Sequence, residues 1–254
     1  MDMFNFDGRV VIVTGGSRGI GKAIALGFGK AGAKSVVASR DVKSLKETVM
    51  EIERSGGQGS YVKCDLRKDD NIYDLVGETV KRYGTIDILI NNSGISPFIM
   101  KSEEVTKEMW EDVIQVNLLA PFLLSREVAK IMMKNNFGRI INIASVGGMV
   151  GFQRQVAYSA TKGALIQMTK VMAVEWSRRY NITVNAIAPS YIETELTVGM
   201  RASEKISTNL IQRTPIGRFG VPNEILTAVF YLASECSSYT TGSVVPVDGG
   251  WMAY

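Results

Sequence analysis

The sequence predicts an α/β protein: a single doubly wound domain, residues 1–254, whose mostly parallel seven-stranded sheet carries helices on both faces. Three observations lead there. Short β-branched runs alternate with longer amphipathic segments, as successive strand–helix units require. The runs are hydrophobic almost throughout, which suits strands buried on both faces. A glycine-rich turn joins the first run to the first helical segment, where an open sheet of this class binds its ligand.

Residues 9–14, Arg-Val-Val-Ile-Val-Thr, read as the first strand. Helical spacing follows over 20–30, and then 35–39, 42–54, 60–64 and 71–83 repeat the order strand, helix, strand, helix. Runs at 86–90, 139–144, 183–188 and 244–247 bring the strands to seven. A helix over 108–126 has a polar break at Asn117, and a later one places Ala157, Ala160, Ala164, Leu165, Met168 and Met172 at core spacing. Right-handed crossovers join such units into a parallel sheet. A closed (β/α)8 barrel is the competing arrangement, and the glycines of the first turn argue against it.

Composition narrows the function classes. With 46% apolar and 21% charged residues, the chain has material for a core and does not resemble a disordered segment. The net charge of +4 comes from Lys and Arg scattered among acids, which suits a small anionic cofactor and disfavours nucleic acid as a partner. The opening residues are acidic and lack the basic start and apolar run of an export signal, and no apolar run approaches a membrane span. Two cysteines, Cys64 and Cys236, suggest neither a disulfide framework nor a metal cluster. The expectation is a cytoplasmic protein without membrane or metal.

There is no histidine, so proton transfer near neutrality falls to Tyr, Lys, Asp, Glu or Cys. Tyr158 and Lys162 stand four residues apart on one helical face. A tyrosine ionises near pH ~10 on its own, and an adjacent ammonium favours its phenolate. The same spacing also occurs where an aromatic stem and a solvated lysine decorate an ordinary helix. The turn Thr14-Gly15-Gly16-Ser17-Arg18-Gly19-Ile20-Gly21 supplies context. Its glycines let backbone N–H groups approach a pyrophosphate at a helix N-terminus. The spacing is neither G-x-G-x-x-G nor a P-loop, and read alone it could be only a tight turn.

With Asp65 after the third strand, Asn91-Asn92-Ser93-Gly94 after the fourth, Asn117, Ser145 at the end of a strand, Tyr158/Lys162 and Val247-Asp248-Gly249-Gly250, the chain resembles the short-chain dehydrogenase/reductase family over almost its whole length. The resemblance implies a Rossmann-type fold and carbonyl–alcohol interconversion with a nicotinamide cofactor. Ser145 would position the substrate oxygen, Tyr158 transfer the proton, Lys162 lower the tyrosine pKa and hold the ribose, and Asn117 anchor a water. Alternatively, Ser145 is turn chemistry, and Asn117 only interrupts a helix. The cofactor would touch Gly15, Ser17, Arg18, Gly19, Ile20, Gly21, Ser39, Arg40, Asp65, Leu66, Asn91, Ser93, Gly94, Tyr158, Lys162, Pro189, Ile192 and Thr194. Asp65 also reads as a helix cap. Arg18 and Arg40 can pair with a 2′-phosphate and Ser39 is neutral, which favours NADP(H). Asp41 keeps NAD(H) open, and both arginines could be plain surface charges.

Two positions depart from the family pattern. Ser93 stands where alanine is usual, and Ser190 replaces a glycine beside the expected nicotinamide site. For the substrate, the candidates are Ser96, Gly147, Tyr191 and Arg154, the last as a carboxylate partner. Residues 194–215 are polar with weak periodicity, which reads as a substrate lid or as an exposed helix pair. Phrases such as Ala173-Val174-Glu175-Trp176 look like the branch containing gluconate 5-dehydrogenases, which makes a sugar acid the first substrate expectation. A 3-oxoacyl-carrier-protein reductase is the alternative, and a nucleotide-binding sensor or scaffold the non-enzymatic one. The family usually forms homotetramers, and the apolar end from Trp251 could pack on a neighbour or close its own core.

Overall fold

The computed structural model describes residues 4–253. Residues 1–3 of the acidic start and Tyr254 of the apolar end lie outside the described residues. Strand β1 (Val10–Thr14) leads into helix α1 (Gly19–Lys30), followed by β2 (Lys34–Ser39), α2 (Val42–Arg54), β3 (Gln58–Lys63) and α3 (Asp69–Tyr83). Then come β4 (Ile88–Asn91), α4 (Lys107–Ile114), α5 (Ala120–Asn135), β5 (Gly138–Ile143), α6 (Val156–Tyr180) and β6 (Ile182–Pro189). The short helices α7 (Val198–Ala202) and α8 (Glu204–Arg213) precede α9 (Leu226–Ala233) and β7 (Val244–Val247). The strands form a 7-stranded sheet in the order β3-β2-β1-β4-β5-β6-β7, and each neighbouring pair is parallel. The doubly wound expectation holds; the barrel fails because β3 and β7 are open edges.

Alternation along the strands divides the core. Val10 and Ile12 share one apolar layer with Leu75, Leu124, Val128 and Met132 of α3 and α5. Val11 and Val13 point the other way, into a layer with Ile24, Phe28, Leu45 and Leu232 of α1, α2 and α9. Both faces of a central strand are therefore dry, which explains its unbroken hydrophobicity. Met172 is buried in the first layer and Met168 packs against it, so neither needs a role beyond packing.

The helix expected over 108–126 is not continuous. It divides into α4 and α5 around a π-helical turn, Gln115–Leu119, with Asn117 buried at its centre. Pro121, near the start of α5, has no N–H to offer the carbonyl four residues back, which is that of Asn117. The polar break in the sequence is thus a break in the helical ladder.

Two buried polar features cross the sheet. Arg139 of β5 is 1% exposed; its guanidinium donates to the carbonyls of Ser234, Gly138 and Asn181 and stacks on Phe137 at 4.5 Å. Burial pulls its pKa down. Nearer the strand ends, Asn91 Nδ2 donates to Ser125 Oγ and, at 2.8 Å, to Asn142 Oδ1, while Asn142 Nδ2 donates to Thr169 Oγ1. This chain pins β4, β5, α5 and α6 in register. Asn142→Ala takes from the Asn91 amide one of its two acceptors and from Thr169 Oγ1 its donor, and stability should fall by about 1–3 kcal/mol. The midpoint of urea unfolding checks this, and an unchanged midpoint would refute the pinning role.

Candidate active site

Strand order reverses between β1 and β4, and in an open sheet the crevice at such a point receives the ligand. Here the crevice is stitched shut at its base. Thr14 Oγ1 donates to the Ile90 carbonyl and accepts the N–H groups of Asn92 and Ser93, each at 3.0 Å, and Asn92 Nδ2 donates to the Thr14 carbonyl. Over this base runs the glycine turn. Gly15 has φ +65, and a Cβ on Gly21 would stand 2.3 Å from the Gly15 carbonyl oxygen. No side chain fits there. Gly19 faces Thr194, whose methyl would be 3.2 Å from an added Cβ. Helix α1 has no acid in its first turn and no side chain capping it, so its leading N–H groups are left for an anion.

Around this turn the sequence candidates separate. Arg18 and Arg40 are exposed, and no acid pairs with either among the described residues. Asp41 is committed to capping α2: its carboxylate accepts from Ser44 Oγ at 2.6 Å and from the N–H groups of Lys43 and Ser44. The Ser44 hydrogen bonds hold its pKa down. Ser39 Oγ is buried without a partner at the end of β2. Asp65 does not cap α3; it accepts from the Arg67 N–H in the turn before that helix. Leu66 is buried in the core. Asn91 belongs to the internal chain described above, so its side chain faces Ser125 and Asn142 and not the crevice.

The second group gathers at the end of β5. Ser145 opens the turn Val146–Gly148, and its Oγ accepts the Gly147 N–H at 3.0 Å. Tyr158 and Lys162 come from the start of α6. The helix lies directly on the turn: a Cβ on Gly148 would stand 2.6 Å from the Lys162 carbonyl carbon. Lys162 is 3% exposed and its Nζ donates to the Ile143 carbonyl at 2.7 Å. Burial lowers its pKa to about 8. Tyr158 is half-buried, and desolvation raises its pKa, opposed by a hydrogen bond with Ser145. This corrects the expectation that Lys162 lowers the tyrosine: the ammonium is 5.8 Å from the ring centroid and turned to a carbonyl. Asn117 joins the group through Ile95, whose N–H and carbonyl its amide clamps at 2.8 and 2.9 Å, and through Thr161. Gly94 separates it from Lys162, with Nζ 3.3 Å from where a Cβ would be.

The third side follows β6. Pro189 ends the strand, and Ser190 Oγ donates to the Asp248 carbonyl at 2.9 Å. Ser190 is absent from the residues with positive φ, so the backbone there does not need the usual glycine. Ile192 is buried and bridges to Gly220, and its carbonyl accepts from Thr197 Oγ1. Tyr191 stacks on Phe152 at 5.9 Å and meets Trp251 edge-on at 4.9 Å. Trp251 is 3% exposed, packed on Val146 and Ala188, so it closes its own core. Ser96 and Arg154 are less integrated. Arg154 is exposed with φ 63, and its backbone carbonyl accepts the Met100 N–H. Residues 194–215 include α7 and α8, in which no residue is buried, flanked by the buried Thr197 and Thr214.

A glycine cradle at the switch point, with a serine, a tyrosine and a buried lysine at the neighbouring strand end, is the geometry of nicotinamide-linked oxidoreductases built on this sheet. Residues 15–252 match the family model described as Enoyl-(Acyl carrier protein) reductase. The chain belongs to the short-chain dehydrogenase/reductase family. It is 36% identical to a 2-dehydro-3-deoxy-D-gluconate 5-dehydrogenase of Escherichia coli over 256 residues, covering 100% of this chain and 99% of the relative. It is 38% identical to a 3-oxoacyl-[acyl-carrier-protein] reductase of Thermotoga maritima over 246 residues, 96% of this chain and 98% of that one. A gluconate 5-dehydrogenase from Burkholderia cenocepacia, solved in complex with NADP and tartrate, superposes with a TM-score of 0.95 at 34% identity, covering 100% of this chain and 98% of its own.

As a short-chain dehydrogenase/reductase the chain is an oxidoreductase, and some of its site was missed in the sequence. Thr14 and Asn92 stitch the crevice, which their neighbours' motif could have suggested. Trp251 reaches Tyr191 from a distant segment with no local signal. Lys162 carries a pH signature. Its folded pKa, about 8, lies below its ordinary value of 10.5, so the unfolded chain binds more protons between those values and stability rises with pH there. The penalty is fully present below pH ~8 and fades above it, amounting to about 3 kcal/mol. Comparing unfolding of wild type and Lys162→Met from pH 7 to 9.5 should show the mutant's relative advantage shrinking with pH; parallel curves would disprove a buried, depressed lysine.

Proposed function

We propose that this chain interconverts a carbonyl and a secondary alcohol with NADP(H), acting on a sugar acid of the gluconate/5-ketogluconate type. The convergence of Ser145, Tyr158 and Lys162 beside the glycine turn carries the reading. The cofactor fits on observations already made: Gly15 and Gly21 leave no room for side chains, α1 begins without an acid, and Asp41 is spent on its helix cap. With Arg18 and Arg40 at the same edge, these favour a 2′-phosphate over ribose hydroxyls alone. Ser17, Ile20, Asp65, Leu66, Ser93, Gly94, Pro189, Ile192 and Thr194 complete the proposed cofactor contacts at the carboxyl ends of the strands.

When bound, the nicotinamide supplies a hydride to the carbonyl carbon or takes one from the carbinol carbon. Ser145 holds the substrate oxygen by hydrogen bonding as charge develops on it. Tyr158, kept protonated by its burial, gives its hydroxyl proton to that oxygen during reduction. Lys162, with a pKa of about 8, helps return the proton to the phenol after the transfer. The Asn117 carbonyl, one turn before Pro121, is the acceptor proposed for a water on that path. Alcohol oxidation runs the same transfers backwards.

In this reading residues 194–215 are the substrate lid on a single domain, and Gly147 and Tyr191 border the substrate, with Ser96 and Arg154 at the rim. A homotetramer is supported by apolar residues left exposed on α6, where Val174 is 82% exposed, and by Phe122 on α5. Among the described residues no helix is long and apolar enough to cross a membrane, and neither cysteine forms a disulfide; a cytoplasmic setting agrees with both. The Thermotoga relative supports a second reading, reduction of 3-oxoacyl thioesters.

Tyr158→Phe should lower kcat by about 10²–10⁴-fold while NADPH binding, followed by fluorescence titration, is retained; persisting turnover would remove the proton-transfer role. Arg40→Asp should shift the ratio of kcat/KM for NADPH over NADH toward NADH by about tenfold or more. Absorbance assays with 5-ketogluconate, neutral ketoses and 3-oxoacyl thioesters decide the substrate, and thioester reduction far above ketogluconate reduction would select the second reading.

A further inference from the structure

We propose that Arg213 anchors the carboxylate of an anionic substrate, at the far end of an aromatic wall formed by Phe152, Tyr191 and Trp251. This rests on the Ser145–Tyr158 site being the reaction centre, and adds the residue that reads the substrate's charge.

The wall begins at the reacting hydroxyls. Gly147, whose N–H holds Ser145 Oγ, lies against the Phe152 ring, which would be 3.1 Å from an added Cβ. Phe152 and Tyr191 stack nearly parallel, 16° between planes at 5.9 Å. Both meet Trp251 edge-on, at 6.4 and 4.9 Å. Arg213, the last residue of α8, lies over the Trp251 ring with its guanidinium carbon 4.3 Å from the centroid. Its charge is felt at the Tyr191 phenol, where it opposes the upward push of burial, and Tyr191 is coupled in turn to Tyr158. Cation, wall and proton donor are therefore one electrostatic neighbourhood.

Each part has a use for a polyhydroxy acid. Flat ring faces accept the C–H faces of a carbon chain, the Tyr191 hydroxyl offers a hydrogen bond, and a guanidinium takes a carboxylate through two parallel hydrogen bonds. Stacking on a buried indole restrains the guanidinium before the substrate arrives, which lowers the ordering cost of the contact. The arginine singled out by the sequence, Arg154, has no such anchorage: the only contact described for it is through its backbone carbonyl. Arg213 also belongs to the segment proposed as a lid, at the end of α8, a helix with no buried residue.

The test compares gluconate with its neutral counterpart glucitol, titrated against the full-length protein by intrinsic fluorescence, with Trp251→Phe identifying the signal of the wall. Wild type should bind gluconate at least about tenfold more tightly, or ~1.4 kcal/mol. Arg213→Gln should erase that preference by weakening gluconate alone, and Arg213→Lys, which keeps the charge without the fork, should fall between. No preference in wild type, including no binding of either compound, overturns the proposal, as does equal weakening of both compounds in Arg213→Gln. The reading beneath it fails on a different result, the absence of nicotinamide-linked turnover of any carbonyl compound, which leaves the binding comparison intact.

Discussion

The hydrogen bond from Lys162 to the Ile143 carbonyl is the interaction on which the site depends. It buries an amine at the joint between α6 and the end of β5, and only a close approach of helix to strand makes that possible. Gly148 permits the approach, because any side chain there would meet the helix backbone. Once α6 is seated, Tyr158 is one turn away from Lys162 and faces Ser145, and Asn117 is reached through Thr161. The cost of desolvating an amine is thus accepted at the place where a depressed pKa is useful.

The same seating explains the tyrosine. Spacing along a helix suggested that the ammonium would draw the phenol toward ionisation. Packing decides otherwise, since the amine turns toward a carbonyl and desolvation acts on the phenol more strongly. The outcome is a desolvated phenol one helical turn from a buried amine. On the cofactor side, a similar competition settled Asp41. Its carboxylate has a local use at the start of α2, and a helix that lacked this cap would lose about 1 kcal/mol.

Much of this was legible in the chain. Continuous hydrophobic runs identified the buried parallel strands, and glycine spacing located the turn, because both follow from local sterics and periodicity. Ser145, Tyr158 and Lys162 were found through motif order. What escaped was whatever required knowing which face a residue takes or what it meets far along the chain. Asn91 has the same composition signal whether it points to the crevice or to Asn142. The polar break within 108–126 marked the place, but not that the ladder changes there through a π turn. Arg139 gave no local sign of its burial, and only the folded sheet surrounds it with carbonyls. Trp251 offered two readings, and the contact with Val146 and Ala188 chose between them.

That contact has a bearing on biosynthesis. Trp251 packs beside the turn that follows Ser145, and β7 pairs with β6 just ahead of it, so the surroundings of Ser145 are finished by segments translated long after it. Contacts of such long sequence separation form late and slowly. A nascent chain can assemble the glycine turn and its first strands on the ribosome while its substrate side remains open. Nucleotide affinity should therefore emerge earlier in synthesis than discrimination among carbonyl compounds.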